Sequence, residues 1–323
     1  MPTLLVTSRM SPALAARVAA SVTGRVSSPR SAGRRLVALA RFVGLGFVIA
    51  AVLSFVAARR RSGGELEIAR AALLADVRAH AAELTPEEHA LPARVAPWVV
   101  AAAADYPGDL VDPELRAPGA LEARLAEPMV YVRGAQATLA TPRGVAEAAR
   151  VSAKDALLLC LVEPPSAPTE KVMLGRVRVA YTGGAEARTP RVHRLADAHL
   201  GLPLLAPAWE RRVVEAEGPR ELRELRRELE KAPLASAKAA AKARWLLVAV
   251  DEAGQGPGPT EIDGERAHAI RLALVEVASG RVALRLRRDV DPSGLTEAAR
   301  VQFASGLDAC RFALDVLGAI HKK

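Results

Sequence analysis

The chain has 323 residues, half of them apolar, which excludes disorder along its whole length and allows one or two domains with a substantial core. Its formal net charge is +9, but residues 1–61 hold ten arginines and no Asp, Glu or Lys. The remainder carries 35 basic against 36 acidic residues. A near-neutral domain has no overall field that attracts phosphates, so we expect no nucleic-acid partner.

An apolar run near the N-terminus predicts a transmembrane helix. Residues 42–58 carry no charge, and the run extends back to Leu36 with Arg41 as its one interruption. An arginine near a helix end can reach the lipid headgroups, so residues 36–58 are long enough to cross a bilayer. A cleaved signal peptide, a twin-arginine export signal and a buried helix of a soluble domain are the alternatives. The length of the run favours an uncleaved single-pass anchor, with the lipid bilayer as a partner.

The flanking charges do not determine the orientation of this anchor. Four arginines lie within 15 residues of the uncharged run on each side, so the positive-inside rule gives a tie. Further arginines towards the N-terminus favour a cytoplasmic N-terminus and an extracytoplasmic C-terminal domain. We therefore expect a basic, disordered tail at 1–33 and a transmembrane helix with arginine flanks at 34–61.

Beyond the anchor, the sequence predicts an α/β fold with a mixed sheet, hairpins and covering helices. Residues 62–127 are mainly helical in pattern, and residues 128–323 form the α/β domain. Within it, residues 128–205 and 234–323 resemble each other as helix–strand–strand units at an offset of 88. A duplication and a chance likeness in an Ala- and Leu-rich chain both remain open.

Two helix starts, one in the segment 62–127 and one in the first of these units, are followed by two predicted strands. Thr85-Pro86-Glu87-Glu88 combines a capping hydroxyl, a proline at the first helical position and carboxylates in the first turn. Thr141-Pro142 predicts a second helix, which runs to about Lys154. The apolar run 156–162 and the alternating run 172–181 then predict strands.

The clearest local prediction in the second region is a β-hairpin over residues 267–289, preceded by a helix at 234–243 and a strand at 244–251. A two-residue turn at Ser279-Gly280 places Val275 opposite Leu284 and Ala273 opposite Leu286, on one apolar face. A final helix at 293–320 is expected to cover that face. Between the two regions, residues 219–231 predict a solvated charged helix with Leu222, Leu225 and Leu229 as its buried stripe.

The cysteines are predicted to be two buried structural thiols. Cys160 and Cys310 lie 150 residues apart among apolar neighbours, and neither belongs to a CxxC motif. A disulfide between them is possible, but the spacing does not indicate one. We therefore expect the cysteines to leave the redox compartment undecided.

Candidate chemistry is weak throughout, and we expect no catalytic residue, cofactor-binding residue, metal ligand or cofactor. His193, Asp197 and His199 do not converge on one face of a helix, so we expect exposed polar residues near a helix end and not a metal or acid–base site. A group of acids, Asp105, Asp109, Asp112 and Glu114, lacks the spacing of a calcium loop. No phosphate-binding, nucleophile-elbow or zinc-protease motif is present in the sequence.

These observations predict a membrane-anchored binding or scaffolding protein of the cell envelope, whose partner is a protein or an envelope component. In outline, helix–strand, hairpin and C-terminal helix are similar to periplasmic domains of bacterial envelope-assembly factors. The alternative is a membrane-tethered enzyme with a site of dispersed residues. An arginine-lined sheet face around Arg271, Arg285 and Arg287 would favour binding, and a pocket joining His193 or His268 to carboxylates would favour the enzyme.

Overall fold

The computed structural model describes residues 64–254, 267–291, 293 and 295–321, together with Ser54. The predicted membrane segment 36–58 lies outside the described residues, apart from Ser54. Among the residues described, no helix is both long enough and apolar enough to cross a bilayer. The chain divides between Glu65 and Leu66, and the account below concerns the unit Leu66–Lys323.

The centre of this unit is one mixed β-sheet. Its described strands lie in the order β1-β6-β5-β4-β2-β3, in which β4, β2 and β3 are parallel and the other neighbours are antiparallel. This arrangement confirms the predicted α/β class with a mixed sheet. The strands are β1 Leu110–Val111, β2 Met129–Ala135, β3 Val192–Arg194, β4 Trp245–Asp251, β5 His268–Glu276 and β6 Val282–Val290.

Helices occupy most of the remaining described chain. In this unit residues 66–81 are helical and are called α1, and single 3-10 turns lie at Pro113–Arg116 and Leu202–Leu205. The other helices are α2 Pro86–His89, α3 Leu91–Ala103, α4 Ala120–Leu125, α5 Gln136–Leu139, α6 Pro142–Val151, α7 Ala156–Val162, α8 Glu170–Tyr181, α9 Gly184–Arg188, α10 Leu195–Gly201, α11 Pro207–Glu215, α12 Pro219–Lys231, α13 Leu234–Ala241 and α14 Glu297–His321.

Helices cover both faces of the sheet and form a separate core on each. Alternate residues of each central strand point into the two cores in turn. Val248 of β4 belongs to the core that residues of α1, α3, α6 and α10 to α13 form on one face, and Leu247 belongs to the core formed with α4, α7, α8 and α14 on the other. A strand that is buried on both sides needs a continuous apolar run, which explains why residues 245–250 carry no polar side chain apart from the indole of Trp245.

The two strands predicted at 156–162 and 172–181 are wrong, since both segments are helices. Asp155 caps the first helix, α7, by accepting a hydrogen bond from the backbone of Leu158 at 3.1 Å. Buried Met173 and Val177 of α8 lie four residues apart, on one face of the helix. The first region therefore has helices where the second has strands, and the two proposed helix–strand–strand units differ in structure.

The hairpin is confirmed, but its predicted register is off by one residue. Leu274 pairs with Leu284 and Leu272 with Leu286, and a bulge follows Leu274. Five residues, 277–281, connect the two strands. In this loop the backbone N–H of Val277 donates to the carbonyl of Arg244, directly before β4, and that of Gly280 donates to the carbonyl of Glu276. The apolar residues of the hairpin are thus divided between the two cores instead of sharing one face.

The C-terminal helix covers the sheet as predicted, beginning at Glu297 instead of residue 293. Leu307 and Phe312 of α14 are fully buried in the core that contains Leu272 and Leu286. The expectation of two free thiols is wrong: Cys310 of α14 and Cys160 of α7 form a buried disulfide, with their Cα atoms 5.2 Å apart. This bond joins two helices of the same layer.

Two local predictions are confirmed in detail. Thr85 and Glu88 form a reciprocal capping box at the start of α2, with hydrogen bonds of 3.3 and 2.7 Å. The charged helix α12 spans Pro219–Lys231 as predicted, and its three leucines are buried.

Candidate functional site

A cavity of about 300 Å³ lies between α3 and the β5–β6 hairpin. Its walls are mainly apolar and include Trp98 and Ala101 of α3, together with Val275 and Val282 of the hairpin. Arg285 of β6 and the segment 105–107 complete the lining and bring most of its polar groups. An apolar recess with few polar groups is the usual form of a small-ligand site, whose volume is roughly 300–1,000 Å³.

The tight approach of α3 to the hairpin loop depends on a glycine. Gly280 has a φ of +74°, a conformation that residues with a side chain rarely adopt. A Cβ at this position would also lie 2.8 Å from the indole nitrogen of Trp98. Gly280 is therefore required both by the loop conformation and by the indole that forms one wall of the cavity.

A network of arginines and carboxylates holds the segment that follows α3 against β6. The Tyr106 hydroxyl donates to Asp109 at 2.5 Å, and Arg288 donates to the same carboxylate at 2.6 Å. Burial acts to raise the pKa of Asp109, but these hydrogen bonds outweigh it and lower the pKa. Burial and the bond to Asp109 raise the pKa of Tyr106. The tyrosine therefore stays neutral and acts as a fixed donor.

Most arginines of the hairpin are paired with acids. Arg271 and Arg287 both bind Glu252, the latter at 3.0 Å, and Arg281 binds Asp112 at 2.5 Å. Burial raises the pKa of Glu252, but the hydrogen bonds from the two arginines more than compensate and lower it. These arginines stabilise the fold through charges that are already matched.

Arg285 differs from its neighbours in having no carboxylate partner among the described residues. Its Nε donates to the carbonyl of Gly108 at 2.8 Å, and its guanidinium lies 5.9 Å from the centre of the Tyr106 ring. These contacts fix the side chain and leave its terminal N–H groups available. The cavity thus contains a positioned cation with hydrogen bonds to offer.

A second polar cluster lies at the carboxyl ends of the parallel strands β2 and β4. The chain leaves β2 towards β3 and leaves β4 towards β5 in the opposite direction, which is where open α/β sheets usually bind ligands. Arg133 donates twice to Asp251, at 2.8 and 2.7 Å, and once to Asp155 at 2.7 Å. The Tyr131 hydroxyl also donates to Asp155, at 3.1 Å.

The charges of this second cluster already satisfy one another. Burial acts to lower the pKa of Arg133, because it disfavours the charged guanidinium. The charges of Asp251 and Asp155 outweigh this effect, so the pKa of Arg133 is raised. Burial, with the charge of Asp155, raises the pKa of Tyr131. The cluster therefore connects β2, β4 and α7 and holds no group that awaits a ligand.

His268 and Asp308 lie next to this cluster. The His268 side chain is 2% exposed and its Nε2 is 3.9 Å from Asp251. Asp308 of α14 is fully buried, and neither of its carboxylate oxygens has a hydrogen-bond partner within the described chain. Burial raises the pKa of Asp308 to about 6. The ionised form of this carboxyl therefore costs stability at neutral pH.

We expect Asp308→Asn to stabilise the domain at pH 8 by up to about 3 kcal/mol and to have little effect at pH 4. Because the folded-state pKa of Asp308 lies above the unfolded value, the folded protein holds its proton more tightly. Stability therefore falls as the pH rises from about 4 to about 6 and stays low above that. Urea unfolding of both proteins at the two pH values measures the difference.

Asp315→Asn provides the matched control on the same helix. Asp315 is exposed, so its replacement should change stability by less than about 0.5 kcal/mol at either pH. Equal effects of the two substitutions at pH 8 would contradict the role assigned to Asp308.

The structure separates the residues of the predicted His193, Asp197 and His199 group. His193 lies in strand β3, whereas Asp197 and His199 lie in α10. The expectation of exposed polar residues is wrong for Asp197, which is 5% exposed. Asp197 is buried and paired with Arg194 at 2.9 Å. Burial lowers the pKa of both histidines, which favours their neutral form. Within the described residues, no group of three potential metal ligands is present.

The predicted acidic group and arginine face meet each other. Asp109 and Asp112 pair with arginines of β6 and its loop, and Asp112 also caps the 3-10 turn that contains Glu114. Segment 104–109 covers the arginine face, which is therefore not an open surface. The accessible parts that remain there include the cavity beside Arg285 and part of the Arg287 side chain, which is 34% exposed.

Sequence reasoning missed Trp98, Tyr106 and Arg133. The aromatic pair is only eight residues apart, but nothing local shows that a hairpin 170 residues later completes their cavity. Arg133 was not identified because β2 itself was not predicted. A charged residue directly after the apolar run Met129–Val132 is the signal that could have indicated the carboxyl end of a strand.

In comparisons with known proteins, no protein-family model, no curated protein and no solved structure matches this chain. The site must therefore be judged by its geometry and chemistry alone.

Proposed function

We propose that the protein is a membrane-anchored binding protein of the cell envelope, with its α/β domain on the extracytoplasmic side. The cavity between α3 and the hairpin carries the binding part of this proposal. It combines apolar walls, an aromatic rim and a positioned guanidinium, whereas the other polar clusters described above are internally paired. The anchor is the apolar run 36–58 with its arginine flanks.

The disulfide supports the extracytoplasmic orientation, which the flanking charges leave tied. Disulfides form and persist in oxidising compartments and are rare in the cytosol. The bond between Cys160 and Cys310 is fully buried, which is typical of a structural disulfide and not of a redox-active pair. A domain built around such a bond is best suited to the outer side of the cytoplasmic membrane.

The enzyme alternative depends on His268, which lies beside Asp251 and near Asp308. The buried histidine side chain gives a substrate no direct approach. Arg133 already occupies both oxygens of Asp251. Binding at the cavity is therefore the better supported function.

The orientation is tested by protease treatment of cells whose cytoplasmic membrane is intact and whose outer envelope has been opened. We expect the C-terminal domain to be digested while a cytoplasmic marker protein survives. In the same cells, maleimide–polyethylene glycol should label Cys160 and Cys310 only after denaturation and reduction. Protection of the domain until full lysis, with both thiols free, would contradict the proposal.

A further inference from the structure

Building on the proposed binding function, we infer that the ligand of this cavity is a small molecule with an apolar body and one carboxylate, which Arg285 binds. The apolar body would occupy the space between Trp98 and the hairpin residues Val275 and Val282. A volume of about 300 Å³ is at the lower end of the range for ligand sites, which excludes a dinucleotide or another large cofactor.

The groups that line the cavity indicate that its ligand is negatively charged. The Arg285 terminal N–H groups and the indole N–H of Trp98 are hydrogen-bond donors with no acceptor within the described residues. Donors of this kind match a carboxylate, and a guanidinium can bind both of its oxygens at once. A guanidinium in a partly apolar site is also less hydrated than in water, so pairing with an anion gains more there.

Asp105 is the one acid among the described residues that lines the cavity, and its position limits its influence. The residue is exposed, so water screens its carboxylate. Arg285 is half-buried and is held by the Gly108 carbonyl and the Tyr106 ring. The fixed cation therefore determines the charge preference, and the exposed acid opposes it only weakly.

Three probes test the effect of charge at nearly constant size: 4-phenylbutyrate, 4-phenylbutyramide and 4-phenylbutylamine. They share the same apolar phenyl and alkyl part and differ in the charge of the end group. Calorimetric titration into the full chain in phosphatidylcholine nanodiscs, with empty discs as the blank, measures the affinity of each. We expect the carboxylate to bind at least about tenfold more tightly than the amide, because hydrogen bonds to a charged group are the stronger kind. The amine should bind most weakly.

Arg285→Gln should reduce carboxylate affinity about tenfold or more and leave amide affinity nearly unchanged. Arg281→Gln is the matched control, since Arg281 lies in the same hairpin but pairs with Asp112 outside the cavity. This control should bind all three probes like the unaltered chain. Melting temperatures of both variants verify that they fold.

Ala101→Trp is a second variant, which fills the cavity from an exposed position on α3. It should abolish the binding of all three probes. Equal binding of the three probes, blocked by Ala101→Trp but insensitive to Arg285→Gln, would overturn the carboxylate inference and leave the binding function standing. Absence of binding by every probe, or binding that Ala101→Trp does not reduce, would overturn both.

Discussion

Reduction of the Cys160–Cys310 disulfide is expected to destabilise the domain by about 4–5 kcal/mol, the largest effect that we predict for a single bond. The bond closes a loop with a sequence separation of 150 residues, so it removes much of the freedom of the unfolded chain. For a domain of this size, 1 kcal/mol corresponds to roughly 2–4 °C, so the melting temperature should fall by about 10 °C or more. Urea unfolding with and without reductant measures the loss.

The double substitution Cys160→Ala and Cys310→Ala is the control for this experiment. Its stability should match that of the reduced protein, minus the small cost of the lost sulfur packing, and should not respond to reductant. Identical unfolding curves of the original chain before and after reduction, with both thiols shown to be alkylated, would contradict the prediction.

Arg133→Met is expected to destabilise the domain by about 3 kcal/mol or more. The substitution keeps the volume of the side chain but leaves Asp155 and Asp251 as adjacent, partly buried charges without their cation. Removal of one partner from such a cluster costs more than the pair contributes, because the remaining charges stay desolvated. Equilibrium unfolding in urea at pH 7 is the measurement.

Two further variants distinguish charge imbalance from lost packing. Arg143→Met removes an exposed pair with Glu147 and should cost less than about 0.5 kcal/mol. Asp155→Asn and Asp251→Asn, added to Arg133→Met, should recover most of the loss, because no unpaired charge is then buried and Asn also caps α7 well. Failure of this combination to recover stability would show that packing, and not charge, dominates.

The errors in the sequence-based strands arise from the shortness of the segments. Seven apolar residues, 156–162, suit a buried helix as well as a buried strand, and periodicity cannot separate the two. The discriminating signal was Asp155, an N-cap residue directly before the run. In the segment 172–181, Met173 and Val177 fit alternation and helical spacing equally, and the preceding Pro168-Thr169-Glu170 is a helix-start pattern.

Longer elements with strong patterns were predicted well, because one physical requirement dominates each. The charged helix 219–231 has three leucines on one face, and only a helix buries them together. The hairpin was found from its Gly280 turn, but its register was not. The register is shifted by a bulge after Leu274, and the loop is held by a backbone hydrogen bond from Val277 to Arg244, a residue outside the hairpin.

The candidate site could not be predicted because its parts are distant in sequence. Trp98 and Arg285 line one cavity, and Arg133 and Asp251 form one ion pair across 118 positions. The disulfide likewise depends on α7 and α14 packing side by side, which no local pattern encodes. The residue types of a segment indicate whether it forms a helix or a strand. The contacts between these distant side chains arise only when the helices pack on the sheet.

The short outer strands of the sheet limit how the domain can associate with other chains. β1 has two residues and β3 has three, so neither end of the described sheet offers a long row of free backbone groups. β6 continues past β1 with Arg287, Arg288 and Asp289, whose charges oppose the addition of a further strand. Edge-to-edge aggregation is therefore disfavoured, even at the high local concentrations that the proposed attachment to a membrane would produce.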